Sequence, residues 1–379
     1  MTERNLQLDN VKGCLITLVV IGHFMLPLKG QTRVFTNVFF VIYTFHMAAF
    51  VFLSGIFSRH VYDERTKRFR WDKAASVLLM YVFYQTIVFF SEIPAYGRTT
   101  RFPDYLHTSG APWYLLALLI WYLLIPFFSY YRQNKKLQWA AFSVLVIMSL
   151  TSGYLTGIGN FLALDRVTAF APFFFLGYFF SEKDLIEWLK TRQSLGIAVA
   201  GIVAGVLILF FFYDHLMPYQ HIVYGTWYSE LPVTQFPTFL QTKVWLVRLL
   251  WYLVAFSMTI SLIRVMPSEQ IPYLTRAGKR SLTIYIVHRP IRDILLSCGF
   301  IRRIHPDSLP MCALLVFIAM LTSWLLSFRF PAEWVEELYR LPTELFGRAR
   351  QKKASENERK NPKRGMNQSG GRNSKKRRS

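Results

Sequence analysis

Cysteine is nearly missing from this sequence: Cys14, Cys298 and Cys312 are all it holds. Each lies in or beside an apolar run, and their spacing fits neither a disulfide framework nor a zinc site. They read as small buried hydrophobes, and no metal is expected. Charge is scarce too. Charged residues make up 17% of the chain, against about 25% in an ordinary soluble protein. That shortage, together with the length of the apolar runs, excludes a soluble globular domain. No cleavable signal is expected either, since the N-terminus leads directly into the first apolar run without a small-residue cleavage site.

In their place stand hydrophobic residues, 53% of the chain, and aromatics alone make up 17%. Mean hydropathy is +0.27. Ten runs near membrane-spanning length can be read, at about 11–28, 34–57, 74–93, 112–131, 137–155, 167–180, 195–213, 244–263, 281–300 and 309–328. The sixth is short, and the ninth carries His288, Arg289 and Arg292. The expected fold class is therefore all-α: a polytopic membrane protein with about ten transmembrane helices. Alternate loops hold about 16 Lys and Arg against about 8 in the others, which places the richer loops and both termini in the cytoplasm. The external segment 214–241 is rich in Tyr, Trp and Pro; its rings either stack on sugars or form an interfacial aromatic belt.

The transmembrane domain covers 1–330. An amphipathic interfacial helix is expected over 331–347, where Trp334, Leu338 and Leu341 fall at helical spacing. Residues 348–379 read as a disordered basic cytoplasmic tail, with thirteen Lys and Arg against Glu356 and Glu358, half of the whole net charge of +22. A tail of that composition cannot build a core and suits anionic lipid headgroups. The positive charge is thus assigned to the membrane and not to nucleic acid, although an RNA-binding tail has the same composition.

The chemistry-bearing residues begin in the first run, LDNVKGCLITLVVIGH. His23 lies inside the apolar stretch, and an ionisable group there marks a functional site by default; the plainer reading is a hydrogen bond to a neighbouring helix. Lys12 precedes it by three helical turns, about 16 Å along one face. His46, in TFHMAAFVFLSG, falls at a matching depth on the antiparallel second run, so the two imidazoles can face one cavity. In ERTKRFRWDK, Arg70 and Lys73 share a face if a helix begins there, and a paired cation at a membrane mouth suits a phosphorylated ligand. His288 and Arg289, in GKRSLTIYIVHRP, either line the same cavity or mark an early helix end at Pro290.

The stretches LDNVKGCLITLVVIGHF, FHMAAFVFLSG, APWYLLALLIWYLLIPFF, FAPFFFLGYFF and GKRSLTIYIVHRPI, in that order, resemble the integral-membrane acyltransferase-3 family, and within it the fucose 4-O-acetylase-like acetyltransferases. The most specific block is the first, whose family pattern is a basic residue, ten residues, then histidine. Lys12 stands where many relatives have Arg. Arg70 and Lys73 stand where the family has an Arg-x-x-Arg pair, Lys67 with Arg70 being the other register.

The resemblance implies transfer of an acetyl group from cytoplasmic acetyl-CoA to a hydroxyl of a cell-envelope or extracellular polysaccharide, by a multi-pass protein of the plasma membrane. His23 and His46 would be the catalytic histidines, with His23 as base or acyl acceptor. Lys12, Arg70 and Lys73 would hold acyl-CoA phosphates, and His288 and Arg289 would line the substrate cavity. A sugar hydroxyl needs a general base, and imidazole has the nearest unperturbed pKa. The competing expectation is a proton-coupled transporter or flippase of lipid-linked sugar, with the histidines as a relay; paired Gly/Pro-broken helices in two halves, the usual mark of such proteins, are lacking. The orientation is tested by reporters: one fused after Lys353 is expected to read cytoplasmic and one inserted at Tyr224 external, and the same side for both rejects it.

Overall fold

In a lipid slab every backbone N–H and C=O must find its partner within the chain, so long apolar runs become helices. The computed structural model describes residues 5–360 apart from Ser109, Gln193, Pro306 and Asp307. The helices that matter here are α1 (Leu6–Met25), α2 (Arg33–Phe57), α3 (Trp71–Tyr96), α4 (Trp113–Tyr131), α5 (Lys135–Ser152), α6 (Leu164–Phe179), α7 (Glu182–Arg192), α8 (Leu195–Phe211), α9 (Val244–Val265), α10 (Pro272–Lys279), α11 (Ser281–Ser297), α12 (Leu309–Leu326) and α13 (Arg329–Lys360). The all-α expectation holds. Among the described residues the sheet is a two-stranded hairpin pairing Tyr62–Asp63 with Arg68–Phe69.

The expected count of ten spans does not carry over directly. Six helices among the described residues, α1, α2, α3, α4, α9 and α12, are long and apolar enough to cross a membrane, or seven if the bent pair α7–α8 forms one span. The other expected spans exist as helices but fall short. Helix α6 has 16 residues and α11 has 17, and α11 is further depleted of apolar character by His288, Arg289, Arg292 and Asp293.

Helix α1 is the hub. It packs against α2, α10, α11 and α12, and Leu8, Val11, Leu15, Ile16 and Val20 are fully buried. Its first turn is pinned by polar bonds: the Asn5 side chain accepts from Leu8 N, Gln7 donates to Ile263 O at 2.8 Å, and Asn10 donates to Pro267 O and Glu269 O at 3.0 and 2.7 Å. The outer helices are reversed in pattern. Val144, Ile147 and Met148 on α5, Ile197, Leu207 and Phe211 on α8, and Leu314, Phe317 and Leu325 on α12 are exposed, as lipid-facing surfaces require.

Two crossings bring backbones into direct contact. A Cβ on Gly13 of α1 would lie 2.0 Å from Leu274 O of α10, and one on Gly278 would lie 1.8 Å from Asp9 O. The same reciprocity joins α2 and α6: a Cβ on Gly55 would meet Phe174 O at 1.9 Å, and one on Gly177 would meet Phe52 O at 2.0 Å. In lipid, where apolar burial does not drive helices together, such small-residue contacts are the main source of packing energy.

The C-terminal helix corrects a boundary. The expected end is residue 347, yet α13 runs to Lys360, so 348–360 is helical where the composition suggests a disordered tail. Those residues are too polar to build a core but rich in helix formers. The remainder of the expected tail, 361–379, lies outside the described residues. Helix α13 also packs on α3, with Trp334 edge-on to Phe83 at 5.9 Å. Two rings of the aromatic segment expected to be external are buried: Trp227 donates to Gly159 O at 2.8 Å and Tyr228 to Leu150 O at 2.9 Å, and neither is free to stack on a sugar.

Overpacking a tight contact costs about 1–3 kcal/mol. Gly177→Ala is therefore expected to lower the thermal midpoint of the purified protein, while Gly347→Ala, where a Cβ would meet nothing within 4 Å, leaves it in place. Equal midpoints would show that the α2–α6 crossing is not close.

Candidate active site

Helix α1 delivers His23 in its last turn, directly after Gly22. The missing side chain of Gly22 is used by α2: a Cβ there would lie 2.8 Å from Cε2 of Tyr43. Tyr43 thus closes over the histidine's own backbone, and on its other side meets the His46 ring at 4.7 Å. His46 is buried, with Nδ1 2.7 Å from Ile42 O. Since a carbonyl only accepts, Nδ1 carries the proton and Nε2 is the acceptor nitrogen.

The ring that touches His23 belongs to α11. His288 meets it edge to face, with centroids 5.0 Å apart. Its Nδ1 donates to Ile284 O at 2.8 Å, which leaves Nε2 as a lone-pair acceptor. That Nε2 is buried without a hydrogen-bond partner, and so is Nδ1 of His23. Two orphaned ring nitrogens in neighbouring rings are complementary: a proton on His23 Nδ1 needs an acceptor, and His288 Nε2 needs a donor. His46, Arg289 and Arg292 are near enough to act electrostatically on His23. The structure thus gathers His23, His46, His288 and Arg289, but the contact partner of His23 is His288, where depth matching points to His46. Pro290 does not end the helix. Helix α11 continues through it to Ser297, which settles the position of His288 and Arg289 as interior.

Outward from this pair the interface of α3 and α11 is ionic. Glu92 of α3 pairs with Arg289 and with Arg98 at 2.5 Å. Asp293 pairs with Arg292 and accepts from Ser91 at 2.8 Å, and Arg292 donates to the Tyr96 hydroxyl at 2.9 Å. Sequence reasoning alone misses Glu92, Arg292 and Asp293 as site residues. An acidic residue inside the third apolar run is the available signal, by the rule that intramembrane charges are functional.

Cavities lie at the two ends of α1. The one at its N-terminal end is about 1210 Å³, and its charged lining is Lys12, Arg59, Lys183 and Lys190 with Asp9, Glu182 and Glu187, beside His60. Lys12 bonds Asp9 at 2.8 Å and lies 4.5 Å over the Phe57 ring. Arg70 and Lys73 are absent from this lining. Arg70 lies one residue before α3, outside the helical conformation, so it does not form the helical-face pair expected with Lys73. It pairs with Asp72 at 2.6 Å, while Lys73 sits over the Tyr339 ring at 5.4 Å. Both are close enough to His60 to act on it electrostatically, which puts them near the rim. The cavity at the C-terminal end of α1 is about 300 Å³ and is lined by Leu26 together with Gln85, Glu92, Arg98, Asp104, His107 and Arg289. There the backbone N–H groups of His107 and Leu106, with the His107 ring, hold the Asp104 carboxyl below the usual carboxylate range.

Residues 5–328 match the acyltransferase-3 family, described as an acyltransferase domain. This chain belongs to that family of membrane acyltransferases. Over 190 residues the acyltransferase-3 chain is 30% identical to the nodulation protein NolL of Sinorhizobium fredii (strain NBRC 101917 / NGR234), a stretch that is 48% of this chain and 50% of the relative. The chain thus spans about half the length of the curated relative it matches. No solved structure matches it. The family inferred from the block order is the one observed, and the matched region takes in every site residue named above.

Proposed function

We propose that this acyltransferase-3 chain is a plasma-membrane O-acyltransferase that carries an acetyl group from cytoplasmic acetyl-CoA to a hydroxyl of a cell-envelope or extracellular polysaccharide, with both termini cytoplasmic. The observation that carries the reading is the arrangement along α1: a cavity with several cations at one end, a small polar cavity at the other, and between them the histidine pair. Lys12 precedes His23 by eleven residues, about 16 Å of helix, a separation the extended pantetheine arm of a CoA thioester is suited to cover.

In this reading Lys12, Lys183 and Lys190 take the CoA phosphates, and Arg70 and Lys73 attend at the rim. The sugar hydroxyl gives its proton to His23, its oxygen bonds to the thioester carbon, the C–S bond breaks, and the thiolate leaves with the proton. The products are an acetyl ester and free CoA. An acetyl group held first on His23 conserves the same atoms. His288 acts through His23: its ring packs edge to face on the His23 ring and holds that imidazole in place, the positioning part that an orienting group plays beside a general base. His46, with its acceptor nitrogen free of the Ile42 bond, is the second histidine of the same interior.

Lys183→Ala with Lys190→Ala is expected to raise the apparent KM for acetyl-CoA by about ten-fold or more, since one charge-assisted hydrogen bond is worth about 1.5–3 kcal/mol, and to leave the acceptor KM near wild type. Arg70→Ala with Lys73→Ala should do the same to a smaller extent. An acetyl-CoA dependence unmoved by the first pair removes the donor site from this cavity.

His23→Ala is expected to lower acetyl transfer from labelled acetyl-CoA to membrane glycan by at least about 100-fold, the low end for a positioned base, with membrane insertion intact. Glutamine keeps a hydrogen bond but takes up no proton at neutral pH, so His23→Gln should be almost as inactive as His23→Ala. Robust transfer by the Gln variant would falsify the role given to His23.

A further inference from the structure

We propose that the small cavity at the C-terminal end of α1 is the acceptor subsite and that it is built for a single uncharged sugar ring, against an acidic one. The proposal rests on the acyl-transfer reading and adds the class of acceptor to it.

Position comes first. Leu26 in the lining is three residues beyond His23, about one helical turn, and Arg289, also in the lining, adjoins His288 in sequence and pairs with Glu92 across the same wall. A hydroxyl at the inner end of this cavity is therefore on the side of the protein where His23 and His288 meet.

Size is the second argument. At about 300 Å³ the space is at the small end of ligand pockets, which run from about 300 to 1,000 Å³. It encloses one sugar residue and leaves the rest of a polysaccharide outside. Phe102, in the lining and 81% exposed, offers a ring face at the opening for the apolar C–H face of a pyranose.

Charge is the third. The lining holds many hydrogen-bonding groups, yet its charges are already matched. Glu92 is shared between Arg98 and Arg289. Asp104 accepts from Leu106 N, His107 N and the His107 ring at 2.8, 3.0 and 3.0 Å. Gln85 donates to Asp104 O at 2.7 Å. A neutral ring adds hydroxyls that donate to carboxylates and accept from guanidinium and amide groups without disturbing a pair. At the inner end the buried guanidinium of Arg289 is already shared by Glu92 and Asp293, so the carboxylate of a uronic acid there must either break an existing ion pair or stay unpaired, and both outcomes are costly in a buried site.

The test uses the full chain in lipid nanodiscs without acetyl-CoA, so that binding is read apart from transfer. Saturation-transfer NMR is titrated with methyl α-D-glucopyranoside and with methyl α-D-glucopyranosiduronate, which differ only at C6. Saturable binding of the neutral glycoside is expected, with the uronate at least about ten-fold weaker, the size of one charge-assisted hydrogen bond. Gln85→Leu and His107→Leu should each weaken the neutral glycoside by about five-fold or more, on the scale of a hydrogen bond removed. His107 is on an exposed segment, so its replacement tests the site without threatening the fold. No saturable binding of either sugar, equal or tighter binding of the uronate, or indifference to both substitutions overturns the proposal. Sugar binding with this pattern but no acetyl transfer to any glycan rejects the acyl-transfer reading and keeps the subsite. Acetyl transfer whose acceptor KM ignores Gln85→Leu and His107→Leu rejects the subsite and keeps the acyl-transfer reading.

Discussion

Direct backbone contact at two glycine crossings is the constraint on which the rest of this structure depends. Helix α1 presses against α10 through Gly13 and Gly278, and α2 against α6 through Gly55 and Gly177. At such distances a helix cannot slide or rotate without a carbonyl meeting a Cα, so the register is fixed to a fraction of a turn. The two helices held in this way carry His23 and His46. Pre-organised groups act best when no reorganisation accompanies the reaction, and here the rigidity originates about ten residues from the chemistry.

The polar first turn of α1 completes that fixation. Gln7 and Asn10 are buried, and they satisfy the carbonyls of Ile263, Pro267 and Glu269. A buried amide left unpaired would be costly, so each bond specifies one docking of α1 on the α9–α10 connection. Tyr43 then needs Gly22 to reach its place between the His23 backbone and the His46 ring.

Much of this is legible in the sequence, and the parts that are not have physical causes. The helical class and the place of His23 inside the first helix follow from the length of the apolar runs. The partner of His23 is not legible, because position along a helix says nothing of which way the helix faces, and only packing puts His288 in contact. Arg70 and Lys73 read as a helical pair because their spacing permits it, but the chain enters α3 from the hairpin whose turn uses Asp63 to bind Arg65 N, Thr66 N and the Thr66 hydroxyl, and Arg70 stays outside the helix. The cations at the other cavity come from α1, the turn after α2 and α7, three segments distant in sequence that no local pattern connects. Residues 348–360 are judged from composition by their inability to pack, which is a different property from their ability to coil.

The cavities at the two ends of α1 share no lining residue. Between them α1 contributes Leu15, Ile16, Val19 and Val20, all almost wholly buried. That belt acts as electrical insulation. An ion at the centre of a membrane is opposed by several kcal/mol even when partly relieved, so a plug of packed aliphatic side chains is an effective dielectric barrier. A membrane that holds a voltage is discharged by any continuous polar path across it, and two polar cavities that met along α1 would make one. With the belt between them an ion is opposed, while an uncharged arm or ring is not.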